Sequence, residues 1–125
     1  MFIGLEHTAI ASPDPEKLAK WYVDHLGFTI NYQSASSRTT FIKAPNGSMF
    51  EIILSKGERP PQTPKDPGLR HVAIAVDDFD ADYAKLKAAG LHLEEPVESK
   101  GVRLVFFADL DGNILHLIQR EKPLP

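Results

Sequence analysis

Four polar side chains interrupt apolar stretches of this 125-residue chain, and their types are those of transition-metal ligands. They belong to His7, Glu51, His71 and His116. A carboxylate or imidazole buried without a partner is costly, and a divalent cation held by three imidazoles and one carboxylate would compensate all four at once. This ligand set suits Zn, Fe, Mn, Co or Ni, whereas Mg and Ca prefer oxygen ligands. The predicted cofactor is therefore one divalent transition metal.

An internal duplication relates these four positions in pairs. The stretch HTAIA recurs as HVAIA 64 positions later, and RTTFIKAPNGSMFEII recurs as RLVFFADLDGNILHLI 65 positions later. His7 thus falls on His71, and Glu51 falls on His116. A lone strand histidine is more often a hydrogen-bonded core residue, so the symmetric placement of all four is what favours a metal site. Two copies of one unit also imply pseudo-twofold symmetry, with equivalent strands facing each other.

Side-chain alternation along the strands predicts which residues share a face with the candidate ligands. His7 shares its face with Ala9 and Ala11, and the same pattern follows His71, so small residues leave room beside each histidine. On the last strand of each copy, four large apolar residues are expected to point to the opposite face: Phe50, Ile52, Leu115 and Leu117.

Each copy predicts a strand, a helix and three further strands. In the first copy the helix begins after Ser12 or Asp14, with Pro13 or Pro15 at its first position, and ends at Gly27. Its strands are predicted over 5–11, 28–32, 39–44 and 49–54. The segment SKGERPPQTPKDPG that follows holds four prolines and two glycines, which is typical of a linker.

The second copy repeats this order. A strand over 69–76 is followed by a helix within 77–90 and three strand-like runs, with a turn at Asp111-Gly112 between the last two. The chain is therefore expected to form a single domain, residues 1–125, from module 1 (1–55), a linker (56–68) and module 2 (69–125).

Composition excludes several classes of function. The chain has no cysteine, so it forms no disulfide and no cysteine-ligated metal site. A net charge of −3 without a basic block argues against nucleic acid. The N-terminal sequence MFIGLEH lacks the features of an export signal, and no apolar run approaches the roughly 18 residues that cross a bilayer. We expect a cytoplasmic protein that binds neither nucleic acid nor membrane.

Several motifs resemble the vicinal oxygen chelate superfamily, which includes glyoxalase I, extradiol dioxygenases, methylmalonyl-CoA epimerase, and fosfomycin and bleomycin resistance proteins. They are His7 at the first strand, WYVDHLGF at 21–28, His71 after the linker and DLDGNILHLIQ at 109–119. The resemblance covers nearly the whole chain. It implies an α+β fold of two paired βαβββ modules whose curved mixed sheet surrounds a metal, a small-molecule substrate, and a homodimer. The implied metal ligands are His7, Glu51, His71 and His116.

One position departs from the pattern of the superfamily. Members that hold a metal usually carry glutamate where this chain has His116, and in enzymes resembling glyoxalase I that glutamate is both ligand and base. The lactoylglutathione lyase activity is therefore in doubt. An extradiol dioxygenase would need Glu51 to take over the role of the missing carboxylate.

The predicted function is metal-assisted proton transfer or lysis beside a carbonyl, resembling a lactoylglutathione lyase or an epimerase. Only Glu51 offsets the charge of a divalent ion, so the site would favour an anionic enolate. Glu51 and His116 are the candidate catalytic bases. The alternatives are an Fe(II)- or Mn-dependent extradiol-type dioxygenase and a non-catalytic binding or resistance protein.

Other residues have weaker claims to a role in the site. Arg38 and Arg103, equivalent in the duplication, are candidate clamps for a substrate carboxylate or phosphate, with surface arginines as the alternative. The spacing of Trp21 and Tyr22 predicts core packing. The remaining histidines, His25 at a helix end and His92 at a strand start, are assigned no role in the site.

Overall fold

The computed structural model describes residues 1–125, which form two compact units, Met1–Pro60 and Pro61–Pro125. Each unit contains one helix and a four-stranded mixed sheet. This confirms the predicted α+β fold with two modules. The boundary between the units lies within the predicted linker 56–68. Neither helix is long and apolar enough to cross a bilayer.

The first unit follows the predicted order of one strand, one helix and three strands. Its elements are β1 (Thr8–Ser12), α1 (Pro15–Leu26), β2 (Thr29–Gln33), β3 (Thr40–Lys43) and β4 (Met49–Leu54). The strand order is β1-β4-β3-β2, with β1 parallel to β4 and the other pairs antiparallel. β1 begins three residues later than the predicted strand, because its pairing with β4 starts at Thr8 opposite Phe50.

Capping residues set both ends of α1. Asp14 is the N-cap and accepts a hydrogen bond from the backbone N–H of Lys17, while Pro15 occupies the first helical position. Ser12, the other predicted cap, instead accepts a hydrogen bond from the backbone N–H of Asp14. Gly27 ends the helix in the left-handed conformation, with φ 71°, that glycine adopts without steric cost.

The second unit repeats the architecture of the first. Its elements are β5 (Val72–Ala75), α2 (Phe79–Ala88), β6 (Val97–Ser99), β7 (Val102–Ala108) and β8 (Ile114–Arg120). The strand order is β5-β8-β7-β6, the same pattern as in the first unit. Asp78 caps α2 just as Asp14 caps α1. The duplication read from the sequence is therefore present in the backbone.

Each sheet buries one face against its own helix. In the first unit the buried set is Leu18, Ala19, Trp21, Tyr22, Phe28, Ile42, Phe50 and Ile52. In the second it is Phe79, Leu86, Val105, Phe107, Leu115 and Leu117. The predicted orientation of the four apolar residues on β4 and β8 is confirmed. The candidate ligands consequently lie on the opposite face of each sheet, which we call the open face.

Candidate functional site

The pairing register builds the same row of side chains on both open faces. In the first unit Glu51 on β4 lies between Ala9 on β1 and Phe41 on β3. In the second unit His116 on β8 lies between Ala73 on β5 and Phe106 on β7. The row thus consists of a small residue, a candidate ligand and a phenylalanine. The histidine that precedes β1 or β5 completes each site.

In the first unit this arrangement brings His7 next to Glu51. The His7 Nε2 atom lies 3.6 Å from Glu51 Oε1, which is too long for a hydrogen bond but close enough for an ion pair. The His7 Nδ1 atom is hydrogen-bonded to the Glu6 carboxylate. The hydrogen bond to Glu6 and the negative charge of Glu51 raise the pKa of His7. A metal that binds His7 must therefore displace a proton held more tightly than on a free histidine.

In the second unit two imidazoles meet. The ring centres of His71 and His116 are 4.6 Å apart, and metal–nitrogen bonds of about 2.1 Å allow two such rings to share one ion. His116 is only 6% exposed, and burial, together with the positive charges of His71 and Arg120, lowers its pKa. It is therefore a neutral imidazole at physiological pH, which is the form that binds metals.

One buried atom of this pair has no partner within the chain. His116 Nδ1 is inaccessible to solvent and makes no hydrogen bond. Buried polar atoms are nearly always satisfied, and an exception in a native fold calls for an ion, a water or a functional role. A neutral imidazole with an unsatisfied nitrogen beside a second imidazole fits a transition metal well.

A phenylalanine packs against each histidine on the open face. The His7 and Phe41 ring centres are 5.3 Å apart, and those of His71 and Phe106 are 5.6 Å apart. Both pairs are edge-to-face, the geometry preferred by aromatic rings. The phenylalanines hold the first-strand histidines in place and keep one side of each pair apolar.

The four predicted ligands are thus brought together two by two. His7 meets Glu51 in the first unit, and His71 meets His116 in the second. Within either unit, no group of three or more His, Cys, Asp or Glu side chains is placed to hold a metal ion. Each unit therefore contributes one half of the predicted ligand set.

The two predicted substrate clamps are already engaged by carboxylates of their own units. Arg38 donates to both Glu16 carboxylate oxygens, at 2.7 and 3.1 Å. Arg103 donates to Asp80 at 2.7 Å, and its guanidinium carbon lies 4.4 Å from the centre of the Phe79 ring. Arg38 fastens the loop before β3 to the first turn of α1, and Arg103 fastens β7 to the first turn of α2. Both contacts favour the structural alternative over substrate binding.

The predicted packing roles of Trp21 and Tyr22 are confirmed, since both are buried. His25 packs beside Trp21, with ring centres 5.1 Å apart. His92 does not begin a strand as predicted, because β6 starts at Val97. It lines a pocket instead.

The pocket has a volume of about 530 Å³ and lies entirely within the second unit. Its lining residues are Pro64, His92, Glu94, Phe106, Phe107, Ala108 and Ile114. Sequence reasoning assigned His92 no role and did not single out Glu94, because the segment LHLEE carries no recognisable motif. Only the fold places this segment beside β7.

A family model described as the Glyoxalase/Bleomycin resistance protein/Dioxygenase superfamily matches residues 4–117. The chain belongs to this superfamily. The resemblance inferred from the sequence is thereby confirmed at the level of the superfamily.

Two kinds of relative support the assignment. The uncharacterized protein YaeR of Escherichia coli strain K12 is 35% identical over 93% of this chain and 95% of its own length. Among solved structures, SMU.1112c has a TM-score of 0.80 at 26% identity, covering 95% of this chain and 100% of that chain. A glyoxalase family protein from Enterococcus faecalis has a TM-score of 0.78 at 26% identity, covering 94% of this chain and 98% of that chain.

Other superfamily relatives carry three different activities in their names. A probable lactoylglutathione lyase of Vibrio parahaemolyticus is 27% identical over 93% of this chain and 90% of its own length. The human mitochondrial methylmalonyl-CoA epimerase is 30% identical over 89% of this chain and 70% of its own length. Biphenyl-2,3-diol 1,2-dioxygenase 3 of Rhodococcus globerulus is 23% identical over 90% of this chain and 61% of its own length. The superfamily therefore includes lyases, epimerases and dioxygenases similar to this chain.

Proposed function

We propose that this chain is a metal-dependent enzyme that polarises a carbonyl or two vicinal oxygens of a small molecule for proton transfer or lysis. His7, Glu51, His71 and His116 are the proposed ligands of one divalent transition metal. The observation that carries this proposal is the buried, unpartnered Nδ1 of His116 beside His71. The equivalent pairing of His7 with Glu51 supports it.

The proposed site forms in a homodimer. In this dimer the His7–Glu51 pair of one protomer and the His71–His116 pair of the other would together hold the ion. The N-terminal segment supports an interface, because Met1, Phe2, Ile3 and Leu5 are at least 97% exposed. A cluster of exposed large apolar side chains is typical of a protein–protein contact.

The bound ion would act as a Lewis acid that stabilises negative charge developing on a substrate oxygen. The surrounding residues perform the other tasks. Glu51 is the only anionic ligand and leaves the site with a net positive charge that attracts an enolate. Glu51 and His116 are the two groups able to accept a proton from the substrate carbon, at a carboxylate oxygen or an imidazole nitrogen. Phe41 and Phe106 keep water from one side of each pair.

A dioxygenase is the second candidate. Two histidines and one carboxylate are the ligands with which non-haem Fe(II) enzymes leave positions open for substrate and oxygen, and this chain offers that set. One relative is named as a biphenyl-diol dioxygenase. Oxygen uptake with a catechol after reconstitution with Fe(II) or Mn would favour this reaction. Its absence, together with a redox-inactive bound metal, would leave the lyase or epimerase chemistry.

Metal analysis of the purified, reconstituted protein tests the proposal. Wild type should bind a transition metal stoichiometrically, and His116→Ala should lose it. His25→Ala is the matched control, because His25 lies on α1 outside both pairs and should leave binding unchanged. Absence of bound metal in the wild type would refute the proposal. The cytoplasmic location predicted from the N-terminal sequence stays a prediction.

A further inference from the structure

The pocket in the second unit adjoins the proposed metal ligands. Phe106 forms part of its lining, and the same ring lies 4.8 Å from the His116 ring and 5.6 Å from the His71 ring, centre to centre. Ala108 and Ile114 lie opposite each other on β7 and β8, on the face that carries Phe106 and His116. A molecule in the pocket would therefore contact the ring that packs against both histidines.

The lining is apolar at its base and carries two polar side chains at its edge. Phe106, Ala108 and Ile114 form the strand surface, while His92 and Glu94 come from the segment that runs beside β7. The backbone N–H of Glu94 donates to the Phe106 carbonyl at 3.0 Å, which fixes this segment against the strand. This hydrogen bond links the segment that carries His92 and Glu94 to the strand surface of the pocket.

Its volume sets the size of an occupant. At about 530 Å³ it falls within the range of small-molecule pockets. A cavity of about 150 Å³ already holds benzene, so a group of two fused rings fits here with room for a substituent.

Charge sets the chemistry of an occupant. Glu94 is the only residue of the lining that carries a formal negative charge, and no lysine or arginine lines the pocket. A carboxylate, sulfonate or phosphate would face this like charge without a cation to compensate it, which disfavours anions. A hydroxyl or ammonium group could instead donate to the Glu94 carboxylate.

The first unit differs at a position equivalent to part of this lining. The position equivalent to Ala108 is Lys43. A long cationic side chain thus stands in the first unit where a methyl group opens space in the second. The two open faces have diverged in what they can accept.

We propose that the substrate of the metal site carries an apolar, uncharged or cationic ring system that occupies this pocket beside His116. This inference rests on the proposed function, because it makes the pocket a subsite of that metal centre. Glu94 and His92 are its specificity-determining residues. Substrates with an anionic group at this end, such as a phosphate or a second carboxylate, are expected to bind more weakly.

Equilibrium binding of two matched probes to the metal-free, full-length protein tests the inference. 2-Naphthol should bind, and 2-naphthoate, which has the same rings and a negative charge, should bind at least about fivefold more weakly. Glu94→Gln should narrow that difference by strengthening 2-naphthoate binding. Ala108→Phe should weaken 2-naphthol binding about tenfold by filling the pocket, and phenylalanine is well tolerated in strands.

Ala35→Phe is the control, because it makes the same change at an exposed residue of a turn in the first unit and should leave binding unchanged. The inference is wrong if 2-naphthoate binds wild type as tightly as 2-naphthol, or if Ala108→Phe binds 2-naphthol like wild type. Metal content of the same samples separates the two proposals. Metal without naphthol binding refutes the subsite, whereas selective naphthol binding without metal refutes the proposed metal enzyme and leaves the pocket as a binding site.

Discussion

Glu51 on β4 and His116 on β8 occupy equivalent positions of one duplicated fold, yet their surroundings oppose each other in charge. The hydrogen bond to Glu6 and the negative charge of Glu51 raise the pKa of His7, whereas His116 is buried beside a second imidazole and its pKa is lowered. The first pair therefore combines an imidazole with a carboxylate, and the second combines two imidazoles. One fold thus supplies two chemically different halves of the proposed site.

The scaffold around these halves has diverged much less. The ion pair between Arg38 and Glu16 in the first unit recurs between Arg103 and Asp80 in the second, at equivalent positions. Each joins a residue in or just before a strand to the start of a helix. The duplication has kept these contacts, while the candidate ligands on the open faces differ between the units.

Exchanging the side-chain types at positions 51 and 116 should have the largest effect, which is on the affinity for metal. Glu51→His removes the only anionic ligand and should weaken metal binding about 100-fold, since one carboxylate supplies all the charge compensation at the ion. His116→Glu adds a second carboxylate and should bind metal at least as tightly as wild type. Competition with a chromophoric chelator measures both affinities.

Glu58→His is the control for Glu51→His, because Glu58 is exposed, lies outside the strands and is not a candidate ligand. Equal losses of affinity for Glu51→His and His116→Glu would show that the two positions are interchangeable, contrary to the comparison.

The same exchange should act differently on the stability of the metal-free protein. His116→Glu places a carboxylate where only 6% of the residue is exposed and should lower the free energy of unfolding by about 2 kcal/mol at neutral pH. Glu51→His, at a partly exposed position, should change it little. Urea denaturation measures both values, and an unchanged midpoint for His116→Glu would contradict the burial argument.

Acid should weaken the ion pair that fastens α1. The hydrogen bonds from Arg38 lower the pKa of Glu16 from 4.5 to about 2. Because the folded-state pKa is depressed, Glu16 stabilises the fold above pH 4.5, and this contribution is lost as the pH falls from 4.5 through about 2. Glu16→Gln should therefore reduce the loss of stability over that pH range. Thermal denaturation at several pH values measures this loss for wild type and variant. A variant with the acid dependence of wild type would show that the ion pair contributes nothing.

The smallest effects are expected for the two arginines. Arg38→Ala and Arg103→Ala should lower the Tm slightly, because exposed ion pairs contribute little, and Arg103 should matter more since it also packs on Phe79. Neither should change the binding of an anionic substrate. A large rise in KM with an unchanged Tm would instead restore the substrate-clamp prediction.

The sequence predicted the scaffold well because its signals are local. Asp14, Pro15 and Gly27 mark the ends of α1, and the two H-x-A-I-A stretches mark the first strands of both units. Boundaries that depend on pairing were less accurate: β1 starts where β4 provides a partner, which the residues of β1 alone do not reveal.

The candidate site was predictable only where the duplication repeated it. The repeat singled out the four candidate ligands by relating His7 to His71 and Glu51 to His116. The structure brings His7 next to Glu51 in one unit and His71 next to His116 in the other. The pocket was not predictable, because His92 and Glu94 lie on an irregular segment that a backbone hydrogen bond fixes beside β7. The ion pairs of Arg38 and Arg103 likewise depend on where the helices start in space.

A mixed dimer tests the central proposal most directly. Two double variants, His7→Ala with Glu51→Ala and His71→Ala with His116→Ala, are co-expressed with different tags, and the mixed dimer is isolated by two affinity steps. If the halves combine across the dimer, each variant alone binds no metal and the mixed dimer binds one ion, half the content of the wild type. A mixed dimer that remains free of metal, beside a wild type that binds it, would contradict the proposal.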